Sequence, residues 1–285
     1  MSAGLRVALG ARRYRTDRAF YSPQAGGVSD VAVGPDGRIH VLLRRDPLAD
    51  PPCATLVTLD AAGRVLQETD PGIADAHMLA AAPDGRLYVV DRDAHEVLIL
   101  RDGLRVGGLG GRHRPGQPFN HPTGIAIGPD GSIYVCEGYA GHTVWRFAPD
   151  GTELARWGSY GTGPGQFRNA HGLCVLPDGR VAVADRENDR VQIFTPDGGL
   201  LRVIALFRGP MDIWGDAEGV LHVSDSMPAL SRVTAEGAVL GRARPVLNGA
   251  HGLCGAPDGT IYFAEMNPNR VSRILPLTEE APDGL

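Results

Sequence analysis

Residues 171–188 read His171-Gly172-Leu173-Cys174-Val175-Leu176-Pro177-Asp178-Gly179-Arg180-Val181-Ala182-Val183-Ala184-Asp185-Arg186-Glu187-Asn188. Two short β-type runs, Leu173–Leu176 and Arg180–Ala184, flank a Pro-Asp-Gly turn. Asp-Gly supplies the positive φ angles of a tight hairpin turn, and Pro sets the bend before it. The same tripeptide recurs at 35–37, 83–85, 129–131, 149–151, 196–198, 257–259 and 282–284. No segment sustains a 3.6-residue period, so the chain reads as all-β.

Aligning the units on their first turn gives six equivalent positions: Ser29, His77, Thr123, His171, Met211 and His251. Their spacings are 48, 46, 48, 40 and 40 residues. A period of this length built of short strands is the signature of propeller blades. The expectation is one six-bladed β-propeller domain over residues 1–285. A strand at about 5–9 completes the last blade and seals the ring, and about 276–285 forms a tail. Blade five is the irregular copy, because Gly215-Asp216-Ala217-Glu218-Gly219 replaces its turn.

The 285 residues include 39 Gly and 22 Pro, as a chain of many tight turns requires, and the net charge is −5. All 28 basic residues are arginine. The lack of lysine excludes Schiff-base chemistry and a phosphate-loop lysine. Mild acidity argues against nucleic acid as a partner. Cys53, Cys136, Cys174 and Cys254 form no Cys-x-x-Cys pair and read as small buried hydrophobes rather than a disulfide framework. The polar start and the absence of a long apolar run predict no signal peptide, no membrane span and a cytoplasmic address.

In a propeller blade the first strand lines the central channel, so the six aligned positions converge on one mouth. His77, His171 and His251 occupy alternate blades, at threefold intervals around the axis. Three neutral imidazoles meeting at a point, with a position left open, form the ligand set of a catalytic zinc site. A single histidine at a strand start is usually structural; three at one register of a repeat are not explained that way. His40, His95, His113, His121, His142 and His222 show no such coincidence. Cys174 and Cys254, three residues further along their strands, face the other way and are expected between blades.

The loop after each second strand returns to the same mouth. It opens with an acidic residue in five blades: Asp91, Glu137, Asp185, Asp225 and Glu265. That recurrence favours a structural role. Arg44 in blade one and Tyr139 in blade three break the repeat and are the candidates for catalysis. Asp30, Arg92, Arg186, Asn188, Met211 and Asp212 are weaker candidates for contacting a substrate.

Three stretches resemble the NHL-repeat propellers related to peptidyl-α-hydroxyglycine α-amidating lyase. They are Phe119–Gly124 through Cys136-Glu137-Gly138-Tyr139, Gly165-Gln166-Phe167 through Asp185-Arg186-Glu187-Asn188, and Ala250-His251-Gly252. The resemblance covers about residues 26–275. It implies zinc, or another divalent metal, on His77, His171 and His251, with Tyr139 and Arg44 acting on a small-molecule substrate; Arg45 is the alternative arginine. The reaction it implies splits a hemiaminal into an amide and glyoxylate. The family's structural calcium loses a carboxylate here, because Gly252 stands where the family has Asp, and Ala140 replaces a disulfide cysteine. The chemistry class is therefore expected to carry over with a non-peptide substrate. The alternatives are a metal-dependent hydrolase or hydratase, and a non-enzymatic NHL interaction scaffold.

Overall fold

A computed structural model of the chain describes residues 5–45, 54–246 and 248–277. Six antiparallel sheets follow one another around an axis. In the first five, four consecutive strands zigzag outward. Blade one runs Gly27–Val33, Ile39–Arg44, Leu56–Leu59 and Val65–Thr69, and blade four runs Ala170–Val175, Val181–Asp185, Arg190–Phe194 and Leu200–Ile204. The innermost strands touch in cyclic order, with Gly252–Gly255 of blade six lying against both Gly27–Val33 and Pro210–Gly215. The ring is closed. The six-bladed all-β architecture expected from the turn spacing is what the chain adopts.

The closing strand differs from the expectation. Arg12–Tyr21, not 5–9, pairs with Arg270–Pro276 and completes blade six; Arg6–Leu9 adds a fifth strand outside it, hydrogen-bonded only to Arg12–Tyr21. The sequence Arg12-Arg13-Tyr14-Arg15-Thr16-Asp17-Arg18-Ala19-Phe20-Tyr21 hides a strand among charges. Its pleat buries Tyr14, Thr16 and Phe20 and turns most of the arginines outward. Cys53 and most of the expected tail, 278–285, lie outside the described residues.

The core is divided into sectors between neighbouring blades. One packs Leu176, Ala182, Val191 and Ile193 of blade four against Ile213, Leu221, Val223 and Val233 of blade five, with Cys174 among them. Cys254 is packed similarly beside Val31, Val41 and Tyr262 between blades six and one. Each fully buried aliphatic side chain contributes about 1.5–3 kcal/mol. That burial fixes the inner strands rigidly enough to hold a site at the axis.

The aligned positions are singled out by the backbone as well. In blade four Ala170 pairs with Asp185 and Leu173 with Val183, so His171 and Gly172 face one partner residue. The same extra residue appears at His77-Met78, Ser29, Thr123 and Met211. In blade six the His251 amide donates to the Ala264 carbonyl, which Gly252 already opposes. A bulge bends the strand and re-aims one side chain out of the alternating pattern. Here it aims the aligned residue at the axis.

Candidate functional site

At the mouth of the channel His77, His171 and His251 form a near-equilateral triangle, with ring centroids 5.0, 4.9 and 5.0 Å apart. All three are buried, and their candidate ligand atoms lie within 4.8 Å of one another. Each ring is oriented by the next blade. His77 Nδ1–H donates to the Thr123 carbonyl (2.6 Å), His171 Nδ1–H to that of Met211 (2.8 Å) and His251 Nδ1–H to that of Ser29 (2.8 Å). The three non-histidine members of the repeat register thus supply the carbonyls that fix the tautomer of the three histidines. Every Nε2 keeps its lone pair, the arrangement a metal-ligating imidazole needs.

The ring of contacts continues between blades. Ser29 Oγ donates to the His77 carbonyl (2.7 Å) and Thr123 Oγ1 to the Ala170 carbonyl (2.5 Å). Met211 has no hydroxyl, and there the Asp212 carboxylate accepts the Leu253 amide (2.9 Å) instead.

Burial keeps the imidazoles neutral. It pushes His77 and His171 well below the usual histidine range, helped by mutual repulsion and by nearby arginines; His251 is pushed down to about 3, chiefly by burial and then by Arg44. Neutral nitrogen donors suit zinc. A Zn–N bond of about 2.0–2.1 Å places tetrahedral ligands about 3.4 Å apart, so the triangle closes on an ion with movements of under about 1 Å per side chain. The donor set fits the metal that the sequence implies.

The Tyr139 hydroxyl lies 3.1 Å from His77 Nε2 and 3.2 Å from His171 Nε2, astride two of the three lone pairs. Arg44 lies close enough for its positive charge to depress all three histidines. Its Nε donates to the Ala76 carbonyl (3.1 Å) and pairs with Asp75 (3.4 Å), while its buried Nη2 has no hydrogen-bond partner among the described residues. Arg45 is directed elsewhere, to Asp70 (3.1 Å) and the Ile73 carbonyl (2.9 Å). Arg186 also acts on His171 and His251, and its own ion pair, to Glu187, is a loose 3.4 Å.

The weaker candidates separate. Asn188 Nδ2 donates to the Gly161 carbonyl (2.9 Å) and to Asp185 (2.8 Å), so both of its N–H groups are used within the protein. Met211 contributes the carbonyl that orients His171. Arg92 is tied to Asp75 (2.8 Å) and Asp93 (2.9 Å), with its guanidinium 5.2 Å over the Tyr139 ring.

Asp30 and Asp212 lie in the channel behind the triad, beside a cavity of about 290 Å³ that Cys174 and Cys254 also line. Asp30 accepts the Leu79 and Val31 amides (both 2.8 Å). Burial raises Asp212 to about 7 and Asp30 well above the usual carboxylate range, with Asp212 repelling it further. Glycine after His171 and His251 makes this possible: a Cβ at Gly172 would meet Asp212 Oδ1 at 2.5 Å, and one at Gly252 would collide with Asp30 Oδ1. The carboxylate lost at 252 leaves the space that Asp30 occupies.

Four of the five recurrent acidic residues, Asp91, Glu137, Asp185 and Glu265, tie neighbouring stretches of chain together, while Asp225 keeps one buried oxygen without a hydrogen-bond partner among the described residues. Asp185 accepts the Arg168 amide (3.0 Å) and pairs with Arg190 (2.7 Å), and Asp91 accepts the Ala74 and Asp75 amides (2.7 and 2.9 Å). Sequence reasoning missed Asp75. Two residues before the aligned position the other blades carry Gly27, His121, Asn169, Gly209 and Gly249, so Asp75 is the one acid at that register.

Comparison with known proteins finds relatives in sequence and in fold. The NHL repeat model matches residues 119–147 and 167–194. Peptidyl-glycine α-amidating monooxygenase A of Xenopus laevis is 27% identical over 311 residues, covering 93% of this chain and 33% of that protein. Peptidyl-α-hydroxyglycine α-amidating lyase 1 of Drosophila melanogaster is 29% identical over 138 residues, covering 43% of this chain and 26% of that protein. The chain spans about a third or less of the length of these relatives. Among solved structures, a gluconolactonase of Xanthomonas campestris superposes with a TM-score of 0.71 at 16% identity, over 94% of this chain and 91% of its own; it shares the fold. Among the described residues no helix is long and apolar enough to cross a membrane.

Proposed function

We propose that this NHL-repeat propeller, related in sequence to amidating lyases, is a metal-dependent lyase that cleaves a small α-hydroxy amide or a related hydroxylated carboxylate. The observation that carries the reading is the histidine triangle, with each Nδ1 held by a backbone carbonyl and Tyr139 Oη beside two of the remaining nitrogens. His77, His171 and His251 hold the metal. Zinc is the ion favoured by a neutral three-imidazole set, and when bound it lowers the pKa of a coordinated O–H and polarises oxygen.

Within that frame the chain's own groups divide the work. Arg44, whose Nη2 has no partner among the described residues, binds the substrate carboxylate and fixes which end of the molecule faces the triad. Tyr139 Oη takes the proton of the α-hydroxyl and passes it to the departing amide nitrogen, so that the carbon–nitrogen bond breaks as the carbonyl of the aldehyde product forms. Arg186, from the far side of the ring, adds positive potential over the same point.

The test is turnover of N-acyl-α-hydroxyglycines of varied acyl group by zinc-loaded protein, with glyoxylate measured as product. Glyoxylate formation that disappears in His171→Ala and on chelation supports the reading. Release of the acyl group as a carboxylic acid carrying oxygen from labelled water, in place of the primary amide, would show net hydrolysis instead. Turnover unchanged in metal-free protein would exclude the metal role.

A further inference from the structure

Tyr139 stands between Gly138 and Ala140-Gly141 and is 41% exposed, so the main chain does little to hold its ring. Its hydroxyl nevertheless sits 3.1 and 3.2 Å from two imidazole nitrogens. The neighbour placed over its ring is Arg92, whose Cζ lies 5.2 Å from the ring centroid. That guanidinium is itself held, by Asp75 Oδ2 at its Nη2 (2.8 Å) and by Asp93 Oδ1 at its Nε (2.9 Å). The other oxygen of Asp75 pairs with Arg44 Nε (3.4 Å).

Asp75 is anchored at both of its backbone groups. Its amide donates to Asp91 Oδ1 (2.9 Å) and its carbonyl accepts the Arg92 amide (3.0 Å). It lies two residues before His77, at the entry to the strand that carries that ligand. One carboxylate in blade two thus reaches a guanidinium from blade one and, through Arg92, a phenol from blade three.

We infer that Asp75 and Arg92 form a positioning clamp that sets Tyr139 and Arg44 relative to the histidine triangle. This rests on the reading that Tyr139 and Arg44 serve the reaction. Arg92 is therefore a positioning residue: two carboxylates are paired with its edge, at Nη2 and Nε, and its planar face is given to the phenol ring. Arginine suits this task because a guanidinium stacks on an aromatic face while its edge is ion-paired, which a lysine ammonium does not do. Removing Asp75 frees two arginines beside each other and beside three imidazoles, so the clamp also keeps Arg44 from turning away from the site.

The experiment needs no substrate. The full chain is labelled with 3-fluorotyrosine, and the Tyr139 ¹⁹F resonance is identified by its loss in Tyr139→Phe. Arg92→Ala and Asp75→Asn are each expected to shift or broaden that resonance well beyond its linewidth, and Arg92→Lys, which keeps the ion pair and the fold, to shift it as well. Arg156→Ala removes a guanidinium 5.2 Å from the Trp145 ring on the same blade and is expected to leave it in place. A Tyr139 resonance unmoved in Arg92→Ala, Arg92→Lys and Asp75→Asn, with melting temperatures near that of the parent, overturns the inference. Once turnover is in hand, Arg92→Ala is expected to lower kcat at least tenfold with KM within twofold, and to add nothing to the loss in Tyr139→Phe. A loss confined to KM, or fully additive with Tyr139→Phe, overturns it too. Failure to find lyase turnover would bear on the proposed reaction and leave the ¹⁹F result standing.

Discussion

Asp212 offers a test of the channel electrostatics whose sign is fixed. Its carboxyl is buried behind the triad, accepts the Leu253 amide at 2.9 Å, and shares the cavity with Asp30. Burial raises it from 3.8 to about 7. In the unfolded chain it ionises near 3.8. Above pH 7 the folded protein therefore carries a buried carboxylate whose ionisation costs about 4 kcal/mol, at about 1.36 kcal/mol per pKa unit. Below pH 3.8 the group is protonated in both states and the cost vanishes. Asp212→Asn keeps a carbonyl oxygen for the Leu253 amide and removes the charge, at the expense of new N–H groups that need acceptors, about 1–3 kcal/mol if they find none. Urea unfolding of the metal-free chain at pH 8 should show the variant more stable than the parent by about 1–3 kcal/mol, and the advantage should be gone by pH 4. An equal loss of stability at both pH values would refute the burial argument. A loss confined to pH 8 would mean that the ionised form is favoured in the channel, as it would be by a bound cation.

Other outcomes follow from the same geometry. With imidazoles held neutral, zinc affinity measured by competition with a chromophoric chelator should fall less than about tenfold between pH 7.5 and 5.5, whereas three ordinary histidines would lose about a thousandfold to proton competition. Tyr139→Phe should bind zinc like the parent and lose about 10²–10⁴ in kcat, measured by glyoxylate release. Gly252→Ala should lower stability by about 1–3 kcal/mol in urea unfolding, because its methyl group collides with Asp30 Oδ1.

The turn spacing made the blades legible because every inner hairpin except that of blade five repeats one tripeptide. The triad was legible for a related reason: a repeat register turns three scattered histidines into one coincidence. Arg44 and Tyr139 stood out as departures from the pattern. Asp75 breaks the repeat just as clearly, but two residues ahead of the register that was compared. The closing strand Arg12–Tyr21 escaped because its buried Tyr14, Thr16 and Phe20 alternate with charged residues that face outward. The pairing of Asp30 with Gly252 and Asp212 with Gly172 links residues from different blades, and no local spacing records it. The hydrogen bonds from Asn188 Nδ2 to Gly161 and Asp185 join two loops, and the spacing of its motif does not record them.

Whether the three histidines hold one metal ion is decided by isothermal titration of zinc into the chelator-treated chain and into His171→Ala. One tight site per chain is expected in the parent and none of comparable affinity in the variant. No tight site in the parent, or an unchanged site in the variant, would overturn the assignment of the triad as a metal centre.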